Sequence, residues 1–139
     1  MIEAYVYGAL KADSALLGLL GGTADDTRIS PRTTDKENHA IVYKVVPGSF
    51  DGFIHTDRVE IRVIDDNDET IRTIQDRVTE LLVIREGDPP RRTMASDGAT
   101  VVFSCKLNGG GDLDDYTAKN LPNVHRQLYF NMIWRLIKS

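Results

Sequence analysis

The sequence specifies a single α+β domain over residues 1–139, with two helices packed on one face of a mostly antiparallel, mixed-order β-sheet of about four to five strands. Three observations predict it. Ile2, Val6, Ala9, Leu10, Leu17 and Leu20 recur near helical spacing, and Ile71, Ile74, Val78, Leu81 and Leu82 do so again further on. Between and after these stretches, several segments alternate with a period of two or are dense in β-branched residues.

The first helix is rich in Ala and Leu, both strong helix formers. Asp13-Ser14 interrupts its apolar stripe with residues that prefer caps to helix interiors, so a kink and a restart at Ser14 are expected, with Gly21-Gly22 as a left-handed stop after Leu20. Residues 23–39 are polar, contain Pro31 and read as a long surface loop with at most a short strand around 28–30. Residues 40–46 should form a strand that Pro47-Gly48 ends, and a loop over 48–56 then leads into a second strand, 57–64, as an antiparallel hairpin. In that second strand Val59, Ile61 and Val63 share one face, and Glu60 and Arg62 the other.

The carboxylates of 65–69 precede the second helix, where Asp66 and Glu69 have the spacing of a capping box and suit the positive end of the helix dipole; Gly87 and Pro89-Pro90 close that segment. Residues 100–107 alternate as a strand, with Val101, Phe103, Cys105 and Leu107 in one apolar run. The stretch 108–122, with Gly109-Gly110-Gly111, Asp112, Asp114 and Asp115, reads as a flexible acidic loop. Over 124–137, Val124, Leu128, Phe130, Met132, Trp134 and Leu136 fall on one face, opposed by His125, Gln127, Tyr129, Asn131 and Arg135. At ~3.3 Å per residue this last strand would extend about 43 Å, against roughly 37 Å across a compact domain of this size, so it should bend, carry a bulge or project past the domain edge.

Composition narrows the function classes. With 17 basic and 21 acidic residues the net charge is −4, which argues against broad sequence-independent nucleic-acid binding. Cys105 is the sole cysteine, so no intrachain disulfide is possible, and its apolar setting suits a core residue better than a reactive thiol. No apolar run approaches the ~18 residues of a membrane span, and Met1-Ile2-Glu3 lacks the basic start of a secretory signal, so synthesis and use in the cytosol are expected.

No catalytic, cofactor-binding or metal-ligating constellation is legible. There is no Gly-x-Ser-x-Gly, no Walker-type loop and no Gly-x-Gly-x-x-Gly opening a helix. The carboxylates of 65–69 lack the central Gly and twelfth-position Glu of a calcium loop, and a helix cap accounts for them. Asp112, Asp114 and Asp115 would repel a phosphate from Gly109-Gly110-Gly111, and His39, His55 and His125 have no ligand spacing. What remains are candidate contact residues. Phe50, Phe53 and Ile54 lie in the loop between the first two main strands, where they either anchor a partner or fold back on the core. Asp112, Asp114 and Asp115 mark the acidic loop, and Tyr129 and Arg135 on the polar face of the last strand meet a neighbouring subunit or water.

The opening Ile2-Glu3-Ala4, Leu10-Lys11-Ala12-Asp13-Ser14-Ala15-Leu16, Leu20-Gly21-Gly22 and Arg28-Ile29-Ser30-Pro31 is similar to the start of the small tail completion, or tail terminator, family of long-tailed phages. Ala40-Ile41-Val42-Tyr43, Val59-Glu60-Ile61-Arg62-Val63, residues 70–82 and Val124-His125-Arg126-Gln127-Leu128-Tyr129-Phe130 resemble that family's later strands and second helix, in the same order and over nearly the whole chain. The sequence departs from the family pattern at 23–39, which lacks a proline-rich approach to the first main strand, and at 108–122, which is longer.

The resemblance implies a non-enzymatic subunit that forms a hexameric ring on the head-proximal end of the tail tube, stops tube growth and offers a surface to the head connector. Its implied partners are copies of itself, the tail tube protein and a head connector or head-closure protein. DNA would pass through the ring without specific binding, and neither cofactor nor membrane is involved. Its implied place is the virion, after assembly in the host cytoplasm. A closed ring needs two different patches on each subunit, and acidic loops suit a lumen that does not grip DNA. Two other readings stay open: a head-closure or connector adaptor, and a small α+β ligand-binding or hydrolytic domain.

Overall fold

The computed structural model describes residues 2–32, 39–95, 98–115 and 123–138, with the backbone alone at 95, 112–115, 123–125 and 138. Helices α1 (Ile2–Lys11) and α2 (Ser14–Leu20) open the chain, followed by strand β1 (Ile29–Pro31). A hairpin of β2 (Ala40–Phe50) and β3 (His55–Asp65), helix α3 (Asp68–Leu82) and strands β4 (Arg91–Ala95), β5 (Gly98–Asp115) and β6 (Asn123–Lys138) complete it. The strands form one six-stranded sheet in the order β1-β2-β3-β6-β5-β4. Among the described residues only the β1–β2 pairing is parallel. The α+β class with a mixed sheet is as expected, but the sheet has six strands rather than four to five. The added strand is β4, whose Arg91-Arg92-Thr93-Met94 shows no apolar alternation to betray it.

The break in the first helical segment falls at Asp13, which caps α2 by accepting from the Leu16 amide at 2.9 Å, and Gly21 ends α2 in the left-handed region at φ 69°. Asp13 also holds α3. Arg77 donates to its two carboxylate oxygens from Nε at 2.7 Å and Nη2 at 2.5 Å, a bidentate pair. Those bonds from Arg77 hold the Asp13 carboxyl below the ordinary aspartate value of 3.8. The charge therefore adds stability above that value and loses it as pH falls through the depressed folded one. Asp13→Ala should cost about 1–2 kcal/mol at pH 7, the range for losing an N-cap. In urea titrations the gap between the variant and the parent should close as pH drops below 3.8; a gap constant from pH 7 to 3 would contradict this role.

At α3 the cap is Asn67, not Asp66: its Oδ1 accepts from the amides of Glu69 at 2.9 Å and Thr70 at 3.1 Å. An Asn at this position needs no distant partner, whereas the Asp66 spacing mimicked a capping box one residue early. Ile71, Ile74, Val78 and Leu82 of α3 are buried against the sheet together with Ile2, Val6 and Leu10 of α1 and Leu16 and Leu20 of α2. The central strands β3 and β6 supply Val59, Ile61, Val63, Leu128, Phe130 and Met132 from the facing side.

Pro47-Gly48 does not end β2. The strand runs on to Phe50 across a register shift between Val46 and Ser49, leaving a hairpin turn of only residues 51–54. Proline is tolerated because β1 covers β2 only at Ile41–Tyr43, so Pro47 lies where no further strand needs its missing donor. The Gly48 amide leaves the ladder and donates to Asp57 Oδ1 at 3.1 Å.

Nor does β5 stop at Leu107. It continues through Gly109-Gly110-Gly111 to Asp115, paired with β6 down to Asn123, so the expected flexible loop is ladder as far as 115. Residues 116–122 of that loop lie outside the described residues. Two register shifts in β5, between Val102 and Ser104 and between Leu107 and Gly110, each change which side chains share a face. The run Val101, Phe103, Cys105, Leu107 is therefore not one core stripe: Val102 and Cys105 are fully buried, while Phe103 and Leu107 are exposed. The irregularity expected of the long last strand sits in its partner, since β6 keeps unbroken register with β3 from Val124 to Trp134.

Candidate functional site

The helices cover one face of the sheet, and strand alternation places the side chains of the other face. Row by row, Lys44 pairs Glu60 and Glu60 pairs Tyr129; Val42 pairs Arg62 and Arg62 pairs Gln127; Arg58 pairs Asn131 and Asn131 pairs Lys106; Arg92 pairs Val101 and Val101 pairs Arg135. Lys44, Arg58, Arg62, Arg92, Lys106 and Arg135 thus share this uncovered face with the acid Glu60. On a chain of net charge −4 this is a local excess of cations, and the sequence total hides it because most of the acids sit elsewhere, in loops, in helices and towards the ends of β3 and β5.

The middle of that face is a hydrogen-bonded platform. Arg62 donates from Nε at 3.2 Å and Nη2 at 2.8 Å to the Gln127 amide oxygen, and the Gln127 amide nitrogen donates to the Tyr129 hydroxyl at 2.6 Å, the orientation its neighbours demand. Arg58 lies 5.2 Å from the Tyr129 ring centre and pairs with Glu60 at 3.1 Å. Tyr129 is therefore ordered by a cation on its ring and an amide on its hydroxyl. The surrounding Arg58, Arg62 and Gln127 have no apolar periodicity of their own; the alternating polar halves of β3, for Arg62, and of β6, for Gln127, are the sequence signals for this group.

At the end of the sheet formed by the β2–β3 turn, the aromatic candidates come together with Arg135. Phe50 and Phe53 are 57% and 58% exposed, so they do not fold back on the core. Asp51 Oδ1 accepts from the amides of Phe53 at 2.9 Å and Ile54 at 2.7 Å, which fixes the turn and leaves Ile54 half-buried. The Arg135 guanidinium stacks 3.9 Å from the centre of the Phe53 ring, and its Nε is shielded from solvent with no hydrogen-bond partner among the described residues. On the helix side of the same corner, Phe50, His55 and Trp134 form a continuous stack with ring centres 4.1 Å apart at each step. Trp134 Nε1 donates to the buried Asp57 at 2.9 Å, the carboxylate that also holds Gly48. His55, Asp57 and Trp134 act as one node that no local sequence pattern announces, because their meeting depends on the β3–β6 register.

Asp112, Asp114 and Asp115 lie at the opposite end. Arg126 pairs Asp112 and Arg135 pairs Val101, so the aspartate segment and the aromatic corner are separated by about 30 Å of β6 at ~3.3 Å per residue. The eight candidate contact residues therefore occupy two ends and the middle of one sheet, and do not converge on a single pocket.

The remaining chemistry-bearing groups are absorbed by the fold. His39, Asp65 and Asp66 bring ligand-type atoms within 4.8 Å of one another. The fully buried Asp65 accepts from the amides of Asp66 at 2.8 Å and Asn67 at 3.1 Å and meets His39 Nδ1 at 2.8 Å, which explains its burial as an anchor for the start of α3. Burial pushes the Cys105 thiol up to about 12, which suits the core role read from its setting.

Among solved structures, a chain from the virion of a native gene transfer agent (GTA) particle has a similar fold, with TM-score 0.51 and 15% sequence identity, covering 94% of this chain and 90% of that one. No family profile and no curated protein matches the chain.

Proposed function

We propose that this chain is a structural virion subunit that assembles into a hexameric ring on the head-proximal end of a tail tube, ending tube growth and presenting a surface for head joining. The observation that carries the reading is the likeness of fold, over nearly the full length of both chains, to a chain of a gene transfer agent virion. The resemblance of its opening segment and closing strand to tail terminators supports the finer assignment. The role is non-catalytic, its location is the virion, and its partners are further copies, the tube protein and a head connector, with DNA traversing the ring unbound.

In this reading the work is done by surfaces. Phe50, Phe53 and Ile54 with Arg135 make one, an aromatic and guanidinium cluster of the kind enriched at interface hot spots. Asp112, Asp114 and Asp115 at the far end make another, and Tyr129 on the uncovered face a third. Particles assembled with and without the protein test the assignment by electron microscopy. Overlong tubes in its absence are the expected result. Tails of normal length that fail to join heads would assign it to head closure, and unchanged particles would remove it from the virion.

A further inference from the structure

The two edges of the sheet are unequal to the strands that guard them. On one side β4 pairs β5 only at Gly98–Val102, and Cys105 accepts from the Ile84 amide at 3.0 Å. From 106 to 115 no described strand lies on the side of β5 away from β6, so a run of backbone donors and acceptors is left open along that side. On the other side the sheet ends in the three residues of β1.

These edges match in level, direction and charge. A single row of pairings crosses the sheet from Ser30 through Val42, Arg62 and Gln127 to Gly111, and the neighbouring row runs from Ile29 through Ile41, Val63 and Arg126 to Asp112. β1 therefore stands at the same height along the strands as the open part of β5. Because β1 runs with β2 while three antiparallel steps separate β2 from β5, β5 runs opposite to β1. Rotation about an axis along the strands involves no slide along it, so it brings one copy's β5 beside the next copy's β1 at the same level and in antiparallel order. Arg28, whose Nε donates to the His39 carbonyl at 2.7 Å, and Arg32 flank β1, and the facing stretch of β5 carries Asp112, Asp114 and Asp115. Asp26, which accepts from the Arg28 amide at 3.3 Å, is the acid nearest β1 in sequence. On its outer side β1 offers carbonyls only, since Pro31 has no amide and the Ile29 amide donates to Thr27 Oγ1 at 3.4 Å, which keeps the backbone contact short and gives the charges the larger part.

We propose that the open edge of β5 is the site where a second copy of this chain docks, through its β1, so that the sheet continues from subunit to subunit. The inference rests on the ring reading above and gives it a specific seam. Ser30→Cys and Gly111→Cys place thiols on directly opposed positions across that seam, and Gly111 has nothing within 4 Å of an added Cβ. In the full chain carrying both changes, mild oxidation should give a ladder of crosslinked species ending at one closed size. The single variants should not crosslink alone, and mixed together they should give dimers only.

Rings visible by microscopy with no ladder would overturn the seam and leave the ring standing. Absence of both rings and ladder, on tubes as well as in solution, would overturn both. Crosslinking of Gly111→Cys with itself would show a symmetric edge-to-edge dimer and refute the head-to-tail contact. If the double cysteine variant fails to fold by circular dichroism, Arg28→Asp with Arg32→Asp supplies the test: assembly should fall at least tenfold and return when Asp112, Asp114 and Asp115 are changed to Lys. Unaltered assembly after the arginine changes would refute the seam.

Discussion

Trp134→Asp should abolish the folded state. Trp134 is 4% exposed, stacks on His55 and donates to Asp57, whose other oxygen receives the Gly48 amide. The substitution removes the donor and sets a second carboxylate beside the first in a buried corner. Burying an unpaired charge costs several kcal/mol, comparable to the roughly 5–15 kcal/mol that holds a domain together. Far-UV circular dichroism should show loss of the cooperative thermal transition. Trp134→Phe separates the hydrogen bond from the packing: it keeps an aromatic ring, leaves Asp57 short of one donor and should cost about 1–3 kcal/mol. A native melt for Trp134→Asp would mean that this corner bears no load.

Gly110→Ala should destabilise by about 3 kcal/mol, from adding backbone strain to a steric clash. Gly110 has φ 155°, and a Cβ built on it would lie 2.2 Å from the Gln127 carbonyl oxygen, part of the backbone of β6. That oxygen belongs to a central strand paired on both sides and cannot give way. Gly111→Ala is the internal control, one residue along, with open space around its added Cβ and no positive φ; it should change the urea midpoint little. Equal midpoints for the two variants would show that the register shift at Leu107/Gly110 is not fixed by glycine.

How much of this was legible depends on whether a residue's role is set by its neighbours in sequence or across the sheet. The α1/α2 break at Asp13, the stop at Gly21 and the core stripe of β6 are local, and all three lie where helical spacing and strict alternation put them. The extent of β5 was not legible, because three consecutive glycines and a cluster of aspartates read as a loop unless β6 stands alongside to pair with them. Strand β4 was missed for the same reason, although Asp97-Gly98 after it is a hairpin dipeptide.

The candidate contact residues fared likewise. Phe50 and Phe53 stand out as aromatics in a polar turn, and their exposure excludes the reading in which they fold back on the core. Their companionship with Arg135, and the ordering of Tyr129 by Arg58, Arg62 and Gln127, follow from cross-strand register alone. The stripes from which those neighbours come were visible, but nothing in the sequence says which rows meet.

The crowding of cations on one flank of the sheet makes the molecule a permanent dipole, since the rest of the chain must then be more acidic than its total of −4. Such a body turns in the field of whatever approaches it and meets its partner already oriented, which raises encounter rates without adding a single bond. Its association should consequently slow as salt shortens the reach of that field to about 10 Å near 0.1 M.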